Sequence, residues 1–242
     1  MQTMHVSEST IHRQQRSLLA RIRRLVPIEE SSTAIAGREV PWIRVTDPDA
    51  LLWQALSKGD QGSVEQDPFW AAAWRAAIGM DHFLGRIAEQ RESKSLEGTS
   101  MLELGGGSGR AGISAAMRGA NVTITDASTT ALLVCRYNAS HGSGVNSVCR
   151  LDWRDTNSGL GEFSIILGSD IVYDPKLFPI LEPCLRRHLK KDGVVYLSEP
   201  QRHTGDRFQT WIQSAGWRLT EHFVDLMDRE KPIRIFECRL NS

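Results

Sequence analysis

Residues 101–109 read Met-Leu-Glu-Leu-Gly-Gly-Gly-Ser-Gly, and the fold follows from this stretch. A short apolar run holding one acid stops in four glycines within five residues, and a helix-compatible segment, Arg110 to Arg118, follows at once. That is the pattern of a buried strand, a tight turn and a helix N-terminus. Glycine has no Cβ, so the backbone there can take positive φ and come close to a bound molecule. A nucleotide-like cofactor laid across the turn is the expectation.

Around this segment, the chain alternates between strand and helix from residue 100 onward. Strands are expected at 101–104, 121–125, 147–151, 163–168 and 193–198, with helices at 110–118, 129–140, 177–190 and 206–215 between them. Such alternation predicts a parallel, doubly wound sheet covered on both faces. Phe163-Ser-Ile-Ile-Leu-Gly168 is nearly all apolar, as suits a strand buried on both sides. The ending differs: 217–224 and 233–240 are both strand-like and are joined by a polar turn, which predicts a terminal antiparallel hairpin. The fold class is therefore α/β, a Rossmann-like doubly wound sheet of seven strands with a C-terminal hairpin and an N-terminal helical extension. Upstream, Ser17 to Val26 reads as an amphipathic helix that Pro27 and the 29–36 stretch break. Val40 to Val45 looks extended, a helix is expected from Pro48 to Leu56, and 58–67 is a polar loop. Pro68 opens a helical stretch that runs to about Gln90. Residues 1–67 are thus an extension of helices and loops, and 68–242 the main domain.

Composition narrows the classes. Of 242 residues, 40% are hydrophobic and 24% charged, which suits one large α/β domain with an addition. Twenty-nine basic residues balance 29 acidic ones, so no bulk charge argues for a nucleic-acid partner. The longest apolar runs are too short to span a membrane. Cys135, Cys149, Cys184 and Cys238 form no C-x-x-C pair, and no metal-ligand spacing occurs among the seven histidines. Reduced thiols in a cytoplasmic protein are the expectation. The start is Arg-rich (Arg13, Arg16, Arg21, Arg23, Arg24), a composition shared by organelle transit peptides and by solvated helical leaders.

In an open parallel sheet, ligands sit beyond the carboxyl ends of the strands. The residues at those ends are Glu103 with the glycines, Asp126, Asp152-Trp153, Ser169-Asp170 followed by Tyr173 and Asp174, and Ser198-Glu199. Two cofactors fit them. Gly107-Ser108-Gly109-Arg110-Ala111-Gly112 matches the dinucleotide pattern G-x-G-x-x-G, and Asp126 lies 19 residues beyond Gly107, where a ribose-binding acid belongs. The same run, as Glu103, Gly105, Gly107 and Gly109, matches the acid-x-Gly-x-Gly-x-Gly pattern of class I methyltransferases that use S-adenosyl-L-methionine (SAM). Both cofactors carry an adenosine, so turn and acid alone do not separate them. Asp126 could equally cap the helix starting near Ser128, and Asp170 and Asp174 could be turn residues ahead of Pro175.

Five segments together resemble the seven-β-strand lysine methyltransferases, the group that includes the enzymes modifying electron-transfer flavoprotein β-subunit and several chaperones. They are Pro68-Phe-Trp-Ala-Ala-Ala-Trp74, Leu102–Gly109, Val122-Thr-Ile-Thr-Asp126, Leu151-Asp-Trp153, and Ile166–Tyr173 with its Asp-x-x-Tyr signature. The resemblance covers roughly residues 68 to 240. It implies that Trp74, Trp153 and the backbone at Ser169 contact SAM, with Asp152 beside the adenine. It also implies that Gly105, Gly106 and Gly107 admit the methionine portion, Asp126 binds the ribose, and Glu103 supports the amino end. Asp170 and Tyr173 would line the channel where the acceptor nitrogen arrives, and S-adenosyl-L-homocysteine would be the product. The implied partner is a protein bearing a target lysine. A small-molecule N- or O-methyltransferase, an NAD-dependent dehydrogenase and a non-catalytic SAM-binding interaction module are the alternatives. One departure stands out: Trp74 is followed by Arg75-Ala76-Ala77 where the family usually has Pro-Gly-Gly or a similar small turn.

Overall fold

The computed structural model describes residues 8–57 and 68–241; the polar loop read at 58–67 lies outside them. Its centre is a seven-stranded sheet built from β3 (Ser100–Leu104), β4 (Asn121–Asp126), β5 (Ser147–Arg150), β6 (Phe163–Ser169), β7 (Leu189–Glu199), β8 (Trp217–Val224) and β9 (Ile233–Leu240). The order is β5-β4-β3-β6-β7-β9-β8. Strands β3 to β7 run parallel, and β9 inserts antiparallel between β7 and β8. The expected sheet and its terminal hairpin are both present.

Alternation along β3 sorts the two faces. Met101 joins a core formed with α3 (Arg75–Glu89) and α4 (Arg110–Met117), whereas Leu102 and Leu104 join the core beneath α6 (Phe178–His188) and α7 (His203–Ser214). Helix α5 (Thr129–Ala139) is apolar nearly all round because both its sides are covered. Cys135 faces the sheet, while Leu133, Val134 and Tyr137 meet Ile22 of α1 (Glu8–Ile22) and Ile43 and Val45 of the N-terminal extension.

That extension departs from its sequence reading. Of residues 29–36, expected only to break a helix, all but Ala36 belong to strand β1 (Ile28–Ile35), which pairs antiparallel with β2 (Arg38–Val45). Ala36 and Gly37, both at positive φ (51° and 73°), make the two-residue turn that matches the twist of a hairpin. Serines and threonine at 31–33 hide this strand, since they put polar residues on both of its faces and only Ile35 is fully buried. The hairpin is pinned to the main domain by side chains whose partners no local pattern reveals. Asn138 accepts the Ile43 N–H (3.0 Å) and donates to the Ser108 carbonyl (3.1 Å). Buried Asp81 accepts the Ala36 N–H, the Ser114 hydroxyl (2.6 Å) and Arg118 (2.9 Å). Helix α2 (Pro48–Ser57) follows β2.

The helix expected from Pro68 to Gln90 is interrupted. A 3-10 turn, Pro68–Ala71, ends before Trp74, which is extended (φ −92°, ψ 129°) and precedes α3. Helix α6 ends at His188, and β7 begins directly at Leu189, four residues earlier than its apolar run suggests.

Candidate functional site

The chain leaves β3 toward β4 on one side and reaches β6 on the other, so the sheet's switch point lies between β3 and β6. Ligands in such sheets bind beyond the strand ends at that point. Gly105 and Gly107 sit there at φ +60° and +53°. A Cβ on Gly105 would fall 2.9 Å from Ile171 Cγ2 and 3.6 Å from the Trp153 ring, and one on Gly107 would lie 3.2 Å from the Trp70 carbonyl. The glycines therefore let the main chain pack this closely against Ile171, Trp153 and Trp70 and form a glycine cradle with no side chain of its own.

Asp126, at the end of β4, braces this turn. Its Oδ2 accepts the Gly107 N–H (2.9 Å) and its Oδ1 the Ser128 N–H (2.8 Å). The cap of α5 is Ser128 itself, whose hydroxyl accepts from Ala131 N–H (3.3 Å). Asp126 is thus a strut between cradle and helix and not the cap. Glu103 is buried (2% exposed) and accepts the Gly112 N–H at 2.8 Å, which locks β3 to the first turn of α4. Burial, reinforced by the nearby charge of Asp126, pushes its carboxyl up to about 8. Asp152 accepts the Arg154 N–H (2.9 Å) and so shapes the turn that carries Trp153.

Across the switch point, Ser169 ends β6 with its hydroxyl buried and without a hydrogen-bond partner among the described residues. The next residue, Asp170, is buried and left-handed (φ +55°), an unusual state for a non-glycine residue that the surroundings must enforce. Its N–H donates to the Ser198 carbonyl (2.7 Å), and its carboxylate is gripped by Arg202. Tyr173 packs on Phe69 (centroids 5.3 Å apart), Phe69 lies 6.3 Å from Trp74, and Trp74 donates its indole N–H to the Phe69 carbonyl (2.8 Å). An aromatic rim thus flanks a carboxylate beside the glycine cradle.

The structure brings Gly105, Gly106, Gly107, Trp153 and Asp126 together on one side of the turn, and Trp74, Asp170 and Tyr173 on the other. Glu199, at the end of β7, is committed elsewhere: it is 1% exposed and paired with Arg234 at 2.5 Å. Two residues of the mouth escape sequence reasoning. Arg202 carries no motif of its own; the signals for it are that β7 neighbours β6 in the sheet and that a buried Asp170 needs a cation. Arg75 stands out in the sequence only as a departure from the family pattern. It makes a two-pronged ion pair with Asp228 (2.8 and 2.7 Å) that ties the β8–β9 turn to the start of α3.

Positive-φ glycines at the switch point, a buried Ser169 hydroxyl with no partner among the described residues and the Asp126 carboxylate at the end of β4 are groups that suit a nucleoside cofactor. Comparison with known proteins agrees. Residues 65–215 match the family described as lysine methyltransferase. The chain is 31% identical over 173 residues to EEF1A lysine methyltransferase 3 of Mus musculus, covering 68% of this chain and 69% of that protein. It is 36% identical over 182 residues to protein N-lysine methyltransferase METTL21A of Danio rerio, covering 71% and 78%. An electron transfer flavoprotein beta subunit lysine methyltransferase of Xenopus laevis is 30% identical over 141 residues, covering 56% and 54%. Among solved structures, magnesium protoporphyrin IX methyltransferase from Synechocystis with bound SAM shares the fold at 14% identity, with a TM-score of 0.55 over 80% of this chain and 98% of that one.

Proposed function

Because the chain belongs to the lysine methyltransferase family, we propose that it moves a methyl group from SAM to the ε-amine of a lysine in a protein substrate. The observation that carries this reading is the joining, at one switch point, of the glycine cradle braced by Asp126 with the Asp170–Tyr173 segment and its aromatic rim. When bound, SAM supplies a methyl group already activated by a sulfonium, so the protein has mainly to bind, orient and exclude water.

Gly105 to Gly107 let the main chain approach the cofactor, Asp126 takes the ribose hydroxyls, and Trp153 with Asp152 holds the adenine. Trp74 and Ser169 complete the wall, and Glu103 supports the amino end through the α4 turn. On the acceptor side, the rings of Tyr173 and Phe69 pack along the apolar stem of the lysine. Asp170 accepts an N–H of the amine and so aims its lone pair. Lysine normally holds its proton up to about pH 10.4, and a desolvated channel lowers that value. Among the described residues no helix is long and apolar enough to cross a membrane. Four free cysteines, three of them buried, support a reducing compartment such as the cytoplasm.

EEF1A and the electron transfer flavoprotein β subunit, named for two of the relatives, are the first acceptors to try. The general test is transfer of labelled methyl from SAM into a cell lysate, with Asp170→Ala as control. Label is expected in discrete protein bands and absent with the variant, whose SAM affinity stays close to that of the parent. Label confined to small molecules would replace this reading with a metabolite methyltransferase, and SAM binding with no label anywhere would replace it with a binding module.

A further inference from the structure

Asp170 does not face the acceptor mouth alone. Arg202 Nε lies 3.2 Å from its Oδ1 and the terminal guanidinium nitrogen 2.6 Å from Oδ2, a two-pronged grip on a side chain only 5% exposed. The same guanidinium lies over the Trp74 ring at 5.6 Å. The loop that launches it is fixed on two sides. The Arg202 N–H donates to Glu199 (2.7 Å), which Arg234 holds from behind, and Gln201 (φ +58°) donates its side-chain amide to the Pro232 carbonyl (2.8 Å). Arg202 therefore joins the aromatic segment before α3, the end of β6 and the start of α7 at one point.

The chemistry of the acceptor makes this pairing consequential. An ammonium has no lone pair, so the lysine must shed its proton before it can accept a methyl group. A lone carboxylate within about 4–6 Å stabilises the charged form and works against that loss. A carboxylate–guanidinium pair carries no net charge as a whole, yet each carboxylate oxygen keeps a lone pair able to accept an amine N–H. Arginine does not itself lose a proton in proteins, so the neutralisation holds across the working pH range.

Resting on the reading of Asp170 as the amine's partner, we propose that Arg202 is a positioning residue of the acceptor channel. By gripping both oxygens of Asp170 it cancels the charge that would hold an arriving ε-ammonium unreactive, while leaving the carboxylate aimed to orient the neutral amine. The proton leaves to water at the mouth; Arg202 neither takes nor gives it.

The surrounding charges have partners of their own. Behind Arg202, Glu199, Asp206 and Glu221 share Arg234, and exposed His203 lies 3.9 Å from Asp206. On the β6 side stand Tyr173 and Asp174, the latter accepting the Lys176 N–H. At the start of α3, Asp228 takes Arg75, with Arg229, Glu230 and Lys231 following in the same turn. Across the cradle lie Asp126 and Glu103. Glu103 titrates within the assay range, so only variants that all retain it are compared.

The test uses the full chain and, as acceptor, the protein that takes up label in the lysate, purified and supplied at saturation. The maximal rate is followed from about pH 6.5 to about pH 9.5, a range below the usual lysine value. Arg202→Ala is expected to lose about tenfold or more in kcat near neutral pH and to recover toward the parent rate at the alkaline end, with acceptor KM unchanged or lower. Arg202→Lys, which keeps the charge, keeps the parent profile even if its rate is lower. Adding Asp170→Asn to Arg202→Ala returns the profile to its original position, since no charge is left to cancel. A loss in Arg202→Ala that is equal at every pH overturns the proposal and leaves Arg202 a structural tie. Should Arg202→Ala also lose SAM affinity, Arg202→Lys decides: an alkaline-shifted profile in that variant overturns the proposal. Asp170→Ala with the parent's kcat would instead sink the acceptor reading of Asp170 on which this inference stands.

Discussion

Replacing Glu103 by Gln should flatten the pH dependence of stability in the ligand-free protein. The carboxyl is 2% exposed, faces α4, and is pushed from 4.5 up to about 8 by burial first and the nearby Asp126 charge second, against the stabilising Gly112 N–H bond. Its folded-state value lies above its unfolded one. Between pH 4.5 and about 8 the folded chain therefore holds a proton that the unfolded chain has lost, and stability falls as pH rises through that window. One pKa unit corresponds to about 1.4 kcal/mol, so this group alone removes roughly 2–3 kcal/mol between about pH 5.5 and about pH 7.5. Glutamine keeps the shape and an oxygen for the Gly112 N–H but has no proton to lose. Urea unfolding midpoints of both proteins at the two pH values, converted with their measured slopes, give the comparison. The parent should lose this amount relative to Glu103→Gln on going to the higher pH. Equal changes in the two proteins would defeat this account, because Glu103 would then be ionised in the folded protein at both pH values, as it is in the unfolded chain.

Asp126→Ala should weaken SAM binding about tenfold to a hundredfold in a calorimetric titration, the worth of a lost bond to a charged group. Unchanged affinity would mean that Asp126 only braces Gly107 and Ser128. Arg234→Ala should cost about 3–5 kcal/mol of stability because it strands the buried Glu199 carboxylate. A loss below about 1 kcal/mol in chemical denaturation would show that water or a neighbouring cation takes over.

Much of the sheet is legible in the sequence because its strands are buried on both faces and are separated by helices of different period. Phe163–Ser169 could hardly be anything else. Strand β1 is hidden for the opposite reason: its serines and threonine put polar residues on both faces, and its partner strand, not its own pattern, gives it shape. The break before Trp74 is masked because the apolar spacing of 70–83 runs through it, while the chain turns there to place Trp74 against Phe69 and Arg202.

The glycine cradle, the acid at the end of β4 and the Asp-x-x-Tyr segment are all written locally in the chain. Each answers a local demand: a positive φ, a strand end, a turn ahead of a helix. Which charges meet is settled by the folded arrangement alone. Arg202 and Asp170 are 32 residues apart, and Arg75 and Asp228 are 153 apart. Their pairing depends on β7 lying beside β6 and on the β8–β9 turn folding back over the start of α3. Local pattern specifies which residues line a strand end; only the order of strands in the sheet specifies which ends become neighbours.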